Sequence, residues 1–390
     1  MRVIRTIHPV GHGGFFTEEL CEGNDCFNVV YDCGTRNGIM LLEREINKAF
    51  NRKQFVDLLF ISHFDRDHVS GLKELVRRNL LNSSTKVVMP FHYPSYFVIL
   101  NPFLYAYYEQ CKLILRSTGA TIVEVEELNP FEDEYGRYLD RPHASDVSFE
   151  QLRGSISSGS RISLSPKWFY IPFNLNDSKN FADRFEDEVK RQLGMDINDM
   201  SPMDLEQNAD IIRGIYQLMG KKNARSFNIN SNSLIVVSMP AGDVDSCYTT
   251  IAQRKYVVDA ATAVYTGDAY LKDFTNGSLP FRYYSALKRV LGKYVHYPVG
   301  LFQIPHHGSN NNYDFLLQNE AALCQFAFCC QDDRDKMQGT TRNVCNDLGG
   351  IAKVKLHVVD ENGGSEIVQE IKDTEEKHFF PRLKFLKGKL

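Results

Sequence analysis

The chain has 390 residues, which on length alone allows two or three domains and a sizeable core. Hydrophobic residues make up 43% and charged residues 24%, an ordinary soluble composition, and the net charge of -4 argues against a generally basic nucleic-acid coat while leaving room for a local basic groove. No apolar run reaches transmembrane length, and Met1–Arg5 leads directly into strand-like sequence without a signal-peptide core. The nine cysteines include no C-x-x-C pair, so reduced, mostly buried thiols of a cytoplasmic protein are expected, with no cysteine-ligated zinc.

Residues 2–10 and 26–32 read as strands, with Gly11-His12-Gly13-Gly14 as a turn between early strand segments. Asp32-Cys33-Gly34-Thr35 ends the second run. Leu42, Glu45, Ile46 and Ala49 fall at helical spacing within Ile39–Phe50. The apolar run Val56–Ile61 predicts a buried strand. It opens onto His63-Phe64-Asp65-Arg66-Asp67-His68, then Ser70-Gly71 and a helical pattern over Leu72–Leu81. Four potential metal ligands thus occupy six residues at a strand end. A polar helix cap explains Ser70 and one Asp, but not two His flanking two Asp. Two imidazoles and two carboxylates suit a divalent cation that activates water.

Lys86–Met89 is a short strand closed by Pro90. Residues 93–118 are rich in aromatics, including Tyr93, Tyr96, Phe97, Phe103, Tyr105, Tyr107 and Tyr108. Core or lid packing is the expected use, and a base-stacking wall is the rival. Residues 124–140 are acidic and loop-like, and a serine-rich stretch precedes a strand over Lys167–Phe173. Across 177–222 the pattern turns helical. Phe181, Phe185, Val189 and Leu193 share one face, and Ser201-Pro202 opens a second helix. This segment reads as a helical insertion within a single domain spanning 1–390, too short for a core of its own.

Strands resume at Ser233–Met239, Lys255–Val258 and Ala263–Thr266, the last ending at Gly267-Asp268. Arg282–Tyr294 reads as helix, and Val299–Ile304 as a strand running into Pro305-His306-His307-Gly308-Ser309. Cys324–Cys330, a helix around Asn343 and Val354–Val359 form a closing β-α-β unit. The succession is α/β. Asp32, the His63–His68 turn, Asp268 and His306-His307 each lie just beyond an apolar strand, where α/β proteins place their sites.

These pieces occur in order as VGHGG, DCGT, SHFDRDHVSGL, NSNSLIVV, YTGDA and IPHHGSN. As an ordered set they resemble the metallo-β-lactamase fold superfamily, and within it the metallohydrolase domain of the ComEC competence proteins and their soluble relatives. The resemblance spans roughly residues 3–310. It implies an αββα sandwich with two divalent metal ions, Mn2+ or Zn2+ with Mg2+ as an alternative. Carried over by position, it places His63 and Asp65 on the first metal and Asp67 and His68 on the second. Asp268 bridges them, and His307 is the expected last ligand, with His306 beside it or donating a proton to the leaving group. Asp32 orients a ligand or the motif turn.

The sequence departs from the family at three places. Asp65 stands where most of the superfamily has His, which enriches the site in oxygen and shifts preference towards manganese or magnesium. A third protein ligand for the first metal is not evident, with His92 and His143 as candidates. His12 replaces the usual Gln of the first turn.

The expected activity is hydrolysis of a phosphodiester in DNA, RNA or a nucleotide, with Asp67 and His306 moving protons. Arg36, Arg66, Arg161 and Lys272 are candidate phosphate clamps, each with an ordinary solvated surface charge as its rival. A phosphorylcholine ester, lactone, thioester or lactam is the alternative substrate. A third reading is a partner-regulated effector or scaffold in bacterial antiviral defence, with 177–222 as the interface. No membrane association and no particular oligomeric state are expected.

Overall fold

Arg2–Ile7, Gly13–Glu22 and Asp25–Thr35 form an antiparallel meander at the centre of the first sheet. In Arg2–Ile7 the buried residues alternate, as a strand with one face in the core requires. Leu58–Phe60, Lys86–Pro90, Thr121–Val125 and Gly154–Ile156 add in parallel on one side. Ile367–Lys372, Ser246–Ile251 and Arg254–Val257 add antiparallel on the other, giving a ten-stranded sheet. Leu58, Leu59 and Phe60 are buried on both faces, the pattern of a parallel strand covered by helices.

The second sheet runs in the order Lys355–Val359, Cys324–Cys330, Val299–Gln303, Ala263–Tyr265, Ile235–Pro240, Trp168–Leu175, Arg161–Ser165 and Asp146–Ser148. Its first four strands are parallel. These elements belong to a computed structural model that describes residues 1–51, 54–91, 102–128, 145–175, 178–222, 233–271, 273–276, 279–282, 285, 287, 289, 299–309, 312, 324–332 and 355–373.

Between the sheets lies one apolar layer, with Val3, Ile7, Phe16 and Phe60 meeting Trp168, Val236, Leu301 and Phe328. Helices Ile39–Ala49, Leu72–Arg77 and Pro102–Ser117 cover the outer face of the first sheet through Leu42, Ile46, Leu75, Tyr108 and Leu115. The outer face of the second sheet buries Val237, Val264 and Phe302 against Leu271 and the helical Leu287. This is the α/β, αββα layering expected from the sequence. Among the described residues no helix is long and apolar enough to cross a membrane.

Several local expectations change. The helix begun at Leu72 stops at Arg77, because Asn79 turns left-handed (φ 57) and lets Leu80 and Leu81 fold back into the core. Residues 102–117 of the aromatic stretch form a helix. Its Tyr108 is buried edge-on against Phe64 at 4.7 Å, a core role, whereas Tyr93, Tyr96 and Phe97 lie outside the described residues. Leu279–Arg282 pairs with Asp273–Asn276 as a ribbon, so Arg282 is strand rather than helix. The helix expected around Asn343 lies outside the described residues.

The thiol expectation is also corrected. Cys21 and Cys26 face each other across the Gly13–Glu22/Asp25–Thr35 hairpin, Cα atoms 4.2 Å apart, and are joined as a disulfide; the other cysteines among the described residues are buried and outside that bond. Helices Ser178–Leu193, Pro202–Gln207 and Ala209–Lys222 leave the second sheet between the neighbouring strands Trp168–Leu175 and Ile235–Pro240. They bury a small cluster of their own (Phe185, Val189, Ile197, Met200, Ile212 and Ile215), contrary to the expectation that the segment is too short for one.

Candidate metal centre

The strand Leu58–Phe60 delivers its chain to one end of the two sheets, where the His63–His68 turn closes into a short helix, Arg66–Val69, with Asp65 at its cap. Close packing holds this turn against the meander. A Cβ on Gly34 would sit 2.5 Å from the Asp67 carbonyl carbon and oxygen, so only glycine lets the two backbones meet. Asp268 follows the strand Ala263–Tyr265 through Gly267, at φ 53 and too near Ser62 for a side chain. His306 and His307 follow Val299–Gln303, both left-handed at φ 48 and 51. Asp32 is left-handed too, at φ 56. Such backbone costs about 1–3 kcal/mol per residue, and here it turns side chains towards one place.

Four histidines share a design. Each anchors Nδ1 and turns Nε2 inward. His68 Nδ1 lies 2.7 Å from Asp32 Oδ2, and His307 Nδ1 lies 2.7 Å from the Cys330 carbonyl oxygen. His306 Nδ1 lies 2.7 Å from Asn312 Oδ1, and His63 Nδ1 lies 2.9 Å from Ser62 Oγ and 3.2 Å from Ser233 Oγ. A histidine fixed through one nitrogen presents the other as a metal ligand of set tautomer. Asp32 also accepts from the Ser62 backbone N–H (2.7 Å) and hydroxyl (2.6 Å), so it ties His68 to the motif turn.

The inward atoms form two groups. His63, His68 and Asp268 make one, and His12, Asp67 and His307 the other. Asp268 touches both: Oδ2 lies 3.7 Å from His63 Nε2 and 3.6 Å from His306 Nε2, while Oδ1 lies 3.2 Å from His68 Nε2 and 3.8 Å from His307 Nε2. Asp67 Oδ2 lies 3.2 Å from His307 Nε2 and 3.4 Å from His12 Nε2. Donors bound about 2.1 Å from one cation stand roughly 3–4 Å apart, which is the spacing seen.

The grouping differs from the sequence expectation in two respects. His68 sits with His63 rather than with Asp67, and His12 enters the second group, its ring 3.9 Å from that of His307. Asp65 lies at the rim, 3.8 Å from His63 and 23% exposed. His92 and His143 lie outside the described residues. Ser62, Ser233 and Asn312 were not singled out as site residues. Their signal was adjacency to the motifs SHFDRDH, NSNS and HHGSN.

His63 Nε2, His68 Nε2 and Asp268 Oδ1 are buried without a hydrogen-bond partner among the described residues. The 3.2 Å approach of His68 to Asp268 lacks the alignment a hydrogen bond needs. An unpaired buried polar atom costs about 1–3 kcal/mol, so three converging on one point mark a ligand position, and the mixed imidazole and carboxylate donors fit a divalent cation.

Electrostatics prepare the donors. Burial alone would raise Asp67, but the His12 and His307 rings hold it well below the usual carboxylate range. Asp268 is likewise raised by burial and more strongly lowered by His68 and His307. Burial lowers His307, whose Nε2 lies 3.2 Å from Asp67 Oδ2. Burial also opposes the charge of His68, yet Asp268 and Asp32 outweigh it and hold the ring protonated, so a cation there must displace a proton.

A groove of about 600 Å³ adjoins the motif helix. Arg36, Arg66, Lys73 and Arg77 line it, with Tyr107 on one wall. Arg36 Nη2 reaches Asp67 Oδ1 at 3.2 Å, which joins the groove to the centre. Arg161 does not join it; it pairs with Asp146 at 2.5 Å. Lys272 lies outside the described residues.

No protein-family model matches the chain, and no curated protein matches it in sequence. Solved structures are similar to it at low identity. The metallo-beta-lactamase fold protein YhfI from Bacillus subtilis is 8% identical over 94% of this chain and 99% of that one, with a TM-score of 0.42. Unliganded yeast PDE1 is 8% identical over 95% of this chain and 100% of that one, with a TM-score of 0.45. The metallo-beta-lactamase MIM-1 from Novosphingobium pentaromativorans is 11% identical over 89% and 87%, with a TM-score of 0.28. A shared substrate does not follow from such likenesses.

Proposed function

We propose that the chain is a metal-dependent hydrolase and that its substrate is a phosphodiester of a nucleic acid or nucleotide. The observation that carries the first half is the convergence of buried, unpaired His63, His68 and Asp268 atoms beside the His12, Asp67 and His307 group. A divalent cation there supplies Lewis acidity towards a phosphoryl oxygen and lowers the pKa of water. His63, His68, Asp268, Asp67, His307 and His12 would hold it, with Asp65 and His306 at the rim.

Asp67, kept ionised, would help hold the cation and orient the attacking water, whose proton passes to solvent. His306 is 32% exposed, so its Nε2 reaches the substrate side of the centre. Asn312 donates its amide to the Asp268 carbonyl at 2.8 Å, which leaves Oδ1 to accept from His306 Nδ1. Nε2, on the exposed side, takes up a proton from solvent and passes it to the leaving oxygen. The cationic groove supports the second half of the proposal. Arginine and lysine side chains recognise phosphate oxygens, and Arg66 and Lys73 line the groove beside Arg36, while Arg77 is paired with Glu74.

The test is a panel of single- and double-stranded DNA and RNA, cyclic nucleotides, phosphorylcholine esters and lactams with Mn2+, Mg2+ or Zn2+. Cleavage confined to phosphodiesters of nucleotides is expected. Cleavage of only a non-phosphate substrate overturns the substrate assignment and leaves the hydrolase standing.

A partner-regulated reading has one observation of its own. Met195, Met203, Ile211 and Leu218, all on the insertion, are exposed apolar side chains. Under that reading the insertion docks a protein partner, and activity rises when the products of neighbouring genes are added.

A further inference from the structure

On the outer face of the first sheet, beneath helix Ile39–Ala49, His8 repeats the design of the four centre histidines with its nitrogens exchanged. Nε2 is anchored, 2.9 Å from Thr17 Oγ1. Nδ1 is buried and has no hydrogen-bond partner among the described residues, and the same holds for Glu45 Oε2, 3.5 Å away. The other oxygen of Glu45 accepts from Arg44 Nε at 2.9 Å, so only Oε2 faces the ring. Glu366 completes the group, and the three donor atoms lie within 4.8 Å of one another. His8 and Glu366 border a cavity of about 210 Å³, and Glu366 is 17% exposed.

We propose that His8 Nδ1, Glu45 and Glu366 form a further cation site, a structural one for a divalent ion of the Zn2+ class. One imidazole nitrogen and two carboxylates make a neutral set around such an ion, and the cavity has room for water in the remaining positions. Without a cation, a buried imidazole edge and a buried carboxylate oxygen face each other at 3.5 Å, the long limit of a hydrogen bond. The three residues come from the end of the first strand, the first helix and the approach to Ile367–Lys372. A bound ion therefore staples the late strand to the opening of the chain. Lys48 Nζ lies 2.5 Å from Glu366 Oε1 and competes for it as an internal cation.

The test is Zn2+ binding to chelator-stripped full-length protein by equilibrium dialysis. Wild type is compared with Glu366→Gln, Glu45→Gln and Lys48→Met. Loss of one equivalent in each Gln variant, with phosphodiester cleavage retained and tighter binding of that equivalent in Lys48→Met, is the expected result. Glu366→Gln is isosteric and on the cavity rim, so a lost equivalent there is not a lost fold. An Asp268→Ala background, which disables the centre, should keep this equivalent and lose it on adding Glu366→Gln. Equal Zn2+ stoichiometry in wild type and both Gln variants overturns the site and leaves the proposed hydrolase untouched.

Discussion

Arg5 and Glu18 are buried between the sheets with their polar atoms paired, whereas His63, His68 and Asp268, just as buried, turn unpaired atoms to one point. Arg5 Nε meets Glu18 Oε1 at 2.7 Å, Nη1 reaches the Ala261 carbonyl and Gln369, and Nη2 donates to Ser238. Glu18 also accepts from Tyr170, Tyr265 and Ser238 at 2.6 to 2.7 Å. Burial opposes charge on both partners, but each holds the other ionised: Arg5 is raised and Glu18 lowered. A closed network of this kind fixes register between the sheets. An open one leaves donor atoms available to a ligand. Burial and charge alone do not separate structure from function; completeness of pairing does.

The largest expected effect comes from opening the centre further. Asp268→Ala should cut hydrolysis by at least about a thousandfold, the scale lost with a transition-state stabilising group. Its thermal midpoint in chelator should fall only modestly, because His68 loses one counter-ion while Asp32 remains. A marked drop in that midpoint would show the centre to be structural.

Arg5→Met reverses the outcome. It leaves Glu18 buried without its counter-ion and should cost about 3–5 kcal/mol in urea unfolding. Turnover per folded molecule should stay at the wild-type level. A smaller effect belongs to Asp32→Asn, which keeps shape but weakens the hold on His68. Metal affinity should fall about 10- to 100-fold in a calorimetric titration, with the fold intact.

The smallest effect is in pH. Glu18 is lowered from its ordinary 4.5, so its pairing stabilises fully above that value and is lost as pH falls through its folded pKa. The stability gap between wild type and Glu18→Gln should therefore be constant near neutrality and close in acid. A gap that widens in acid would contradict the pairing.

Much of the centre was legible because its donors follow strands as short ordered motifs, and a strand end fixes where such a turn lies. The layered α/β fold was legible from apolar runs such as Val56–Ile61. Long-range pairing was not. Ile367–Lys372 lies beside Arg2–Ile7, a partner no local pattern names, and the Cys21–Cys26 bond depends on cross-strand register. Which donors share a group was hidden as well, since His68 reaches His63 only once the Arg66–Val69 helix turns. The Arg5–Glu18 network escaped notice because its members are scattered singly from residue 5 to residue 369.

The most direct measurement is phosphodiester cleavage by purified protein before chelation, after it and after Mn2+ is returned, with metal content determined at each stage. Cleavage that disappears with the metal and returns with it, in wild type but not in Asp268→Ala, is the predicted result. Undiminished cleavage by fully stripped protein, or a purified chain that binds no divalent cation under any condition, would contradict it.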